Sequence, residues 1–255
     1  MYSPQDIELS EYIEAISKLK NCLQSLESTK FKSSERTIQG LKETLWKGVQ
    51  QLDGMFGKEL QAASDSIDPA LYNSEFPPDS PLISEAKIKH IQSLASALMD
   101  SIVEIGPTSA FTKIYEEVRS AHLNKVLAPS NQAAHDQELK SNNARAGSYQ
   151  AGTNLLIPYS QVLVRVLIAE HTLHQKIVPK QQAIATYVKT VTIAIDSFIT
   201  VGETMLNRVS RQIQRREGND VYVLIDVWDY LKNLFSQHAA LVAVQLHNQF
   251  DDALM

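Results

Sequence analysis

The chain has 255 residues, 44% of them hydrophobic and 21% charged, with a net charge of −5 and a pI of about 5.8. That composition supports a sizeable core and excludes wholesale disorder, and the acidic balance speaks against bulk nucleic-acid binding, which uses a basic domain or stripe. Cys22 is the only cysteine, so an intrachain disulfide and any CxxC metal or redox site are excluded, and a reducing cytosolic compartment fits.

Met1–Asp6 shows no basic region followed by an apolar run, so it does not read as a secretory signal. The longest strongly apolar stretch, 162–169, contains Arg165 and falls far short of the about 20 residues a membrane helix needs. Ser3-Pro4 predicts a helix start, with serine as cap and proline at the first helical position. Leu9, Ile13, Ile16, Leu19, Leu23 and Leu26 carry its seam to about Ser28. Ser33 or Ser34 caps a second helix, with Ile38, Leu41, Leu45, Val49, Leu52, Phe56 and Leu60 along one face to about Ala63. Gly40, Gly48, Gly54 and Gly57 lie inside it. Each costs up to about 1 kcal/mol against alanine, which burial of the seam outweighs.

Residues 65–80, with Pro69, Pro77 and Pro78, read as a loop, and Ser80-Pro81 repeats the start signal. Ile88, Ile91, Ala95, Leu98, Ile102 and Ile105 form a third seam, closed by Gly106-Pro107. Thr108 caps a fourth helix along Phe111, Ile114, Tyr115, Val118, Ala121 and Leu127. Pro129 to Thr153 is polar and without period, a linker or long surface loop. Pro158 starts a fifth helix with Val162, Val166, Leu173 and Ile177 on one face. After Pro179 comes the longest helix, about 37 residues, with Val191, Ile195, Phe198, Gly202, Leu206, Val209 and Ile213 as its seam. Glu217–Asp220 breaks it. Val221, Leu224, Ile225, Trp228, Leu231 and Phe235 restart the period, which extends through Val242, Leu246 and Phe250. Period-two alternation is absent, so no strand is expected.

These elements predict an all-α, elongated rod of stacked up-and-down antiparallel helices. The expected division is a helical bundle over 1–128, a polar linker or variable loop over 129–153, and a second bundle over 154–255. The chain stops at Ala253-Leu254-Met255 inside an apolar period, which suggests a piece of a longer protein.

The order of these helices resembles the seventy-kilodalton subunit family of the exocyst vesicle-tethering complex, over roughly residues 9–250. Glu11-Tyr12-Ile13 with Ile16, Leu19 and Leu23 resembles the family's first core helix. Phe111 to Ser120, followed by Leu123, is similar to its phenylalanine, tyrosine, then Arg-Ser pattern. Residues 129–153 fall where the family carries a variable insertion. Gly202-Glu203, Ile213 and Arg215 resemble its Gly-Glu helix with a basic end, and Val221, Leu224, Leu231 and Lys232 fit the next helix. The resemblance implies the N-terminal half of a cullin-repeat-like helical rod, a non-catalytic scaffold that tethers secretory vesicles to the plasma membrane. It implies other exocyst subunits as partners, with Rho-family small GTPases as a further class. It also implies a cytoplasmic, peripheral location at sites of polarised secretion. The family's membrane-binding region corresponds to chain beyond Met255.

The sharpest local feature is a basic cluster, Arg208, Arg211, Arg215 and Arg216. At 100° per residue, Arg208, Arg211 and Arg215 lie within about 60°, nearly opposite the apolar seam. The expectation is a solvated helix end or a face for an acidic partner, so reversing them to glutamate leaves folding intact. Four charges at about 1 kcal/mol each do not hold a protein on an anionic leaflet, which weakens the alternative of a peripheral membrane module. An unrelated helical adaptor is the other alternative.

No catalytic, cofactor or metal residue is assigned. Glu170-His171 with His174 is the one metal-like cluster, but His-Glu-x-x-His is not formed and no second Glu-x-x-His exists. Cys22 beside the Leu19/Leu23 seam reads as a partly buried structural thiol. With nine glycines and no Gly-x-Ser-x-Gly or phosphate loop, nucleotide or acyl-transfer chemistry has no carrier. Trp228 reads as core and Trp46 as core or boundary, with an interface anchor as the alternative for each.

Overall fold

The computed structural model describes residues 4–28, 35–73, 82–105, 110–141, 151–180, 183–214 and 220–237. Eight helices occupy them: α1 Pro4–Ser28, α2 Glu35–Asp65, α3 Ala70–Asn73, α4 Glu85–Ile105, α5 Ala110–Ser141, α6 Leu156–Ile177, α7 Ala183–Gln214 and α8 Asp220–Gln237. No strand occurs among the described residues.

Cross-helix contacts fix the directions. Tyr12 Oη donates to the Gly48 carbonyl and Lys42 pairs with Glu27, so α1 and α2 are antiparallel. Phe56 meets Phe111, and Ser64 meets Arg119, so α2 and α5 run parallel. The α5–α7 pair is also parallel, joined by Ser120 to the Thr190 carbonyl and Glu138 to Arg208. Between them α6 runs the other way, with Tyr115 on Glu170 at one end and Asn131 on Tyr159 at the other. Chain neighbours thus alternate direction and every second helix is parallel, the arrangement of an up-and-down stack. α6 packs against α3, α4, α5, α7 and α8. That is why its apolar residues occur nearly all round instead of in one stripe.

The seams of α1, α2 and α4 are where the period places them. Leu9, Ile16 and Leu23 are buried on α1, as are Leu45, Val49, Leu52, Phe56 and Leu60 on α2 and Ile88, Ile91, Ala95 and Leu98 on α4. α4 starts at Glu85, with the Ser84 hydroxyl accepting from the Lys87 amide, so Ser84 caps it. The expected starts at Ser80-Pro81 and Thr108, the Gly106-Pro107 close, and the Val242, Leu246 and Phe250 extension lie outside the described residues. The 65–80 stretch contains the short helix α3.

Three expectations are corrected. First, 129–141 are not linker: α5 continues through Pro129 to Ser141. Proline in a helix interior costs about 3 kcal/mol, but Ala134 and Glu138 beyond it are buried and Asn131 donates to Tyr159 Oη, so tertiary contacts hold the helix. Second, the buried line of α7 is Tyr187, Val191, Ala194, Phe198, Val201, Met205 and Arg208–Val209, while Leu206 and Ile213 are exposed. The helix is rotated from the expected seam because α5, on the Thr190 and Arg208 side, takes a share of the packing. Third, α8 buries Val223 and Val227 and leaves Val221, Ile225 and Trp228 exposed. α7 is long and apolar enough to cross a membrane by length and composition, contrary to expectation. Its buried line nonetheless packs on α5 and α6, as a core helix does. Buried residues from Leu9 on α1 to Val227 on α8 join a single cluster.

Candidate functional site: two buried ion pairs and a basic helix end

Arg119 on α5 and Glu170 on α6 are both fully buried. The guanidinium forks onto the carboxylate, with Nη2 at 2.6 Å and Nε at 3.0 Å from Oε2. Tyr115 Oη donates to Oε1 at 2.9 Å, and Arg119 Nη1 donates to Ser64 Oγ on α2 at 2.8 Å. Sequence periodicity marks Phe111, Tyr115 and Val118 as apolar positions of α5. Arg119 follows Tyr115 at i, i+4, on the same face, and so enters the core with it. Burial works to raise the Glu170 pKa, but the Arg119 charge and the hydrogen bonds from Arg119 and Tyr115 outweigh it and hold the carboxyl below its ordinary range. Burial likewise opposes the Arg119 charge, and Glu170 more than restores it. The pair is therefore ionised and mutually satisfied.

Two histidines flank the pair. His174 lies edge-on to Tyr115 at 5.3 Å and against Tyr187 at 5.6 Å between ring centroids. His122 lies 6.4 Å from Tyr72 of α3. Burial pushes both imidazoles down to about 4, Arg119 adding to the effect at His122 while Glu170 opposes it at both. Nε2 of each has no hydrogen-bond partner among the described residues. Glu170-His171 with His174 therefore does not form a metal site: both Glu170 oxygens accept from Arg119 or Tyr115, and His171 turns to Gln175 and Tyr187. Groups walled in at this depth do not meet a substrate. Their consequence is registry among α2, α5 and α6.

A pH dependence follows. Each histidine has a folded pKa near 4 against an ordinary 6.5. The unfolded chain takes up these protons first, so their contribution is fully present above about pH 6.5 and is lost as pH falls through 4. Asp53, raised by burial to about 6, runs oppositely, its contribution declining as pH rises through 6. Denaturant melts at stepped pH are expected to show falling stability between 6.5 and 4. The double variant His122→Phe, His174→Phe flattens that slope if the histidines carry it.

The predicted basic face divides. Arg208 is 4% exposed and donates from Nε to Glu138 Oε2 at 2.6 Å and from Nη1 to Gln212. Arg211 is exposed, its Nε on the Asn207 carbonyl. Arg215 and Arg216 lie outside the described residues. The face expected opposite the apolar seam thus loses Arg208, because the true buried line steps 194, 198, 201, 205 and reaches 208. The missed signal is Glu138, which looks like loop charge only if the helix is ended at Pro129. Glu138 also accepts from Asn154, whose Oδ1 accepts from the Leu156 amide just ahead of the first turn of α6. Gln137 accepts from the Leu155 amide and donates to the Thr153 carbonyl, and Asp226 of α8 accepts from the Gly152 amide. Gly152 has φ +78°, a conformation that favours glycine. The second ion pair therefore anchors the α5 end, the 151–155 turn, α7 and α8 together.

Cys22 is exposed instead of partly buried, and Trp228 is 64% exposed instead of core, because α8 turns its Val223/Val227 face inward. Trp46 is 48% exposed instead of core or boundary.

Residues 1–62 match the family described as Exocyst complex component Exo70 N-terminal. The chain is also similar in structure to the crystal structure of the S. cerevisiae exocyst component Exo70p. The TM-score is 0.59 and the identity 14%, with 95% of this chain and 45% of that chain covered. The family match thus covers the N-terminal 62 residues of the chain. At 14% identity the structural likeness speaks for the fold, a helical rod, and the family match speaks for the lineage of α1 and α2. The chain spans 45% of the length of the yeast protein it matches.

Proposed function

We propose that this chain is a non-catalytic section of an Exo70-family exocyst subunit, a stiff helical stack that holds surfaces for other exocyst subunits during vesicle tethering at the plasma membrane. The observation that carries this reading is the family match over α1 and α2. Stiffness is supported by the two buried ion pairs, which tie helices far apart in sequence. Rho-family small GTPases are a second partner class. The exposed Arg211, with the neighbouring Arg215 and Arg216 in sequence, is the basic element proposed to meet an acidic partner.

A pull-down of the purified chain against individually purified exocyst subunits tests the reading. Retention of at least one subunit, at a salt concentration where an unrelated helical protein retains none, is expected. A folded chain that retains none overturns it. The peripheral-membrane alternative is less well supported, since Arg208 is committed to Glu138. Co-sedimentation with anionic liposomes that falls steeply with salt would favour it.

A further inference from the structure

α5 is held in two different ways on the two sides of Pro129. Before it, Phe111, Tyr115, Leu123, Val126 and Leu127 are buried apolar side chains. Beyond it, from Ser130 to Lys140, Ala134 is the one buried apolar side chain, and Leu139 is 49% exposed. Polar contacts take over there. Asn131 donates to Tyr159 Oη and to the Ser197 carbonyl. Gln137 bridges the Leu155 amide and the Thr153 carbonyl, and Glu138 accepts from Arg208 and Asn154. When the segment lifts, each neutral bond is exchanged for bonds to water, so its net hold is small. The ion pair behaves alike, since lifting returns both charges to water together and strands neither. Burial of one alanine adds little to this.

The joint is Pro129, which is exposed and cannot donate to the Lys125 carbonyl one turn earlier. The helix ladder is therefore weakest where the apolar half of α5 meets the polar half. Under the polar half lies α7. Between its contact with Asn131 at Ser197 and its contact with Glu138 at Arg208, α7 buries Val201. At about 100° per residue, Val201 falls within about 20° of Thr190 and Arg208, whose bonds to α5 mark that side of the helix. Val201 is thus covered from the α5 side. Segments with few buried apolar contacts open as local units, below the free energy of global unfolding.

We propose that α5 beyond Pro129 is a polar latch that swings open as a unit on Pro129, releasing Glu138 from Arg208 and uncovering the Val201 side of α7. The closed latch withholds Arg208 from the helix end that carries the exposed Arg211, and the open latch adds it. The apolar half of α5, with the Arg119–Glu170 pair, stays in place. This goes beyond the exocyst reading and does not depend on it. The test is thiol labelling of the native chain by a small reagent. Val201→Cys puts a thiol under the latch, and Ala95→Cys puts one in the α4 core, each in a Cys22→Ser chain because Cys22 is exposed. The α7 thiol is expected to label at least about tenfold faster than the α4 thiol, since labelling follows the open population. Asn131→Ala with Gln137→Ala speeds the α7 thiol further and leaves the α4 thiol unchanged. Pro129→Ala restores the missing donor and slows the α7 thiol more than the α4 thiol. Hydrogen exchange is expected to find the amides of 131–140 opening together, ahead of those of 115–127. Equal labelling of the two thiols overturns the proposal, because α7 is then reached only by global unfolding. So does exchange graded inward from Ser141 and unmoved by Pro129→Ala, which is fraying of a helix end.

Discussion

Arg119→Ala is expected to destabilise the chain by roughly 3–5 kcal/mol in equilibrium denaturation, because it leaves the Glu170 carboxylate buried without its counter-charge. Glu170→Ala has the same direction and similar size, stranding the guanidinium and the Tyr115 hydroxyl. Neither effect measures what the pair adds over an apolar core. Desolvating two charges offsets most of their attraction, so a matched apolar replacement is close to neutral or stabilising by as much as about 4 kcal/mol. The replacement has to follow the hydrogen bonds. Tyr115 Oη donates to Glu170, so Arg119→Met with Glu170→Leu needs Tyr115→Phe as well. Ser64 Oγ donates to the Leu60 carbonyl and stays satisfied. The triple variant is expected to match or exceed the parent in denaturant midpoint. If it is as unstable as Arg119→Ala, the network contributes a specific geometry that packing does not replace.

Much of the stack is legible from periodicity, and the reasons for the misses are local. α1, α2 and α4 each face the core on one side, so a single apolar stripe names their buried residues. α7 and α8 carry two apolar stripes, and the sequence does not say which one the fold covers. Ile195, Leu206 and Ile213 continue as regular a period as Ala194, Val201 and Met205. The deciding contacts come from α5, whose length is hidden by Pro129. Once that helix is carried to Ser141, Glu138 becomes a buried acid in need of a base, and Arg208 is in phase to supply it. The buried Arg119–Glu170 pair was equally unreadable by composition. Glu170 follows an apolar run but Arg119 lies among polar residues, and their partnership joins positions 51 residues apart.

The same geometry changes what a charge-reversal experiment on the basic helix end measures. Arg208→Glu sets a carboxylate against Glu138, whose side chain is 3% exposed. Arg208→Ala alone leaves that acid buried with the Asn154 amide as its remaining described donor. Removing one partner of such a pair is expected to cost roughly 3–5 kcal/mol, and the loss propagates to the 151–155 turn that Asn154 and Gln137 hold. Arg211→Glu, on an exposed side chain, is expected to shift stability by no more than about 0.5 kcal/mol. Thermal melts of the two single variants separate these outcomes. Reversing Arg208 together with Arg211 and Arg215 would abolish partner binding through unfolding, whatever the arginines contact. The informative variant for an acidic partner is therefore Arg211→Glu with Arg208 kept. Weakened retention of that partner by a chain with an unchanged melting curve supports the basic end as a contact. If Arg208→Ala melts like the parent, the ion pair does not hold α5 to α7, and the continuation of α5 past Pro129 needs another cause.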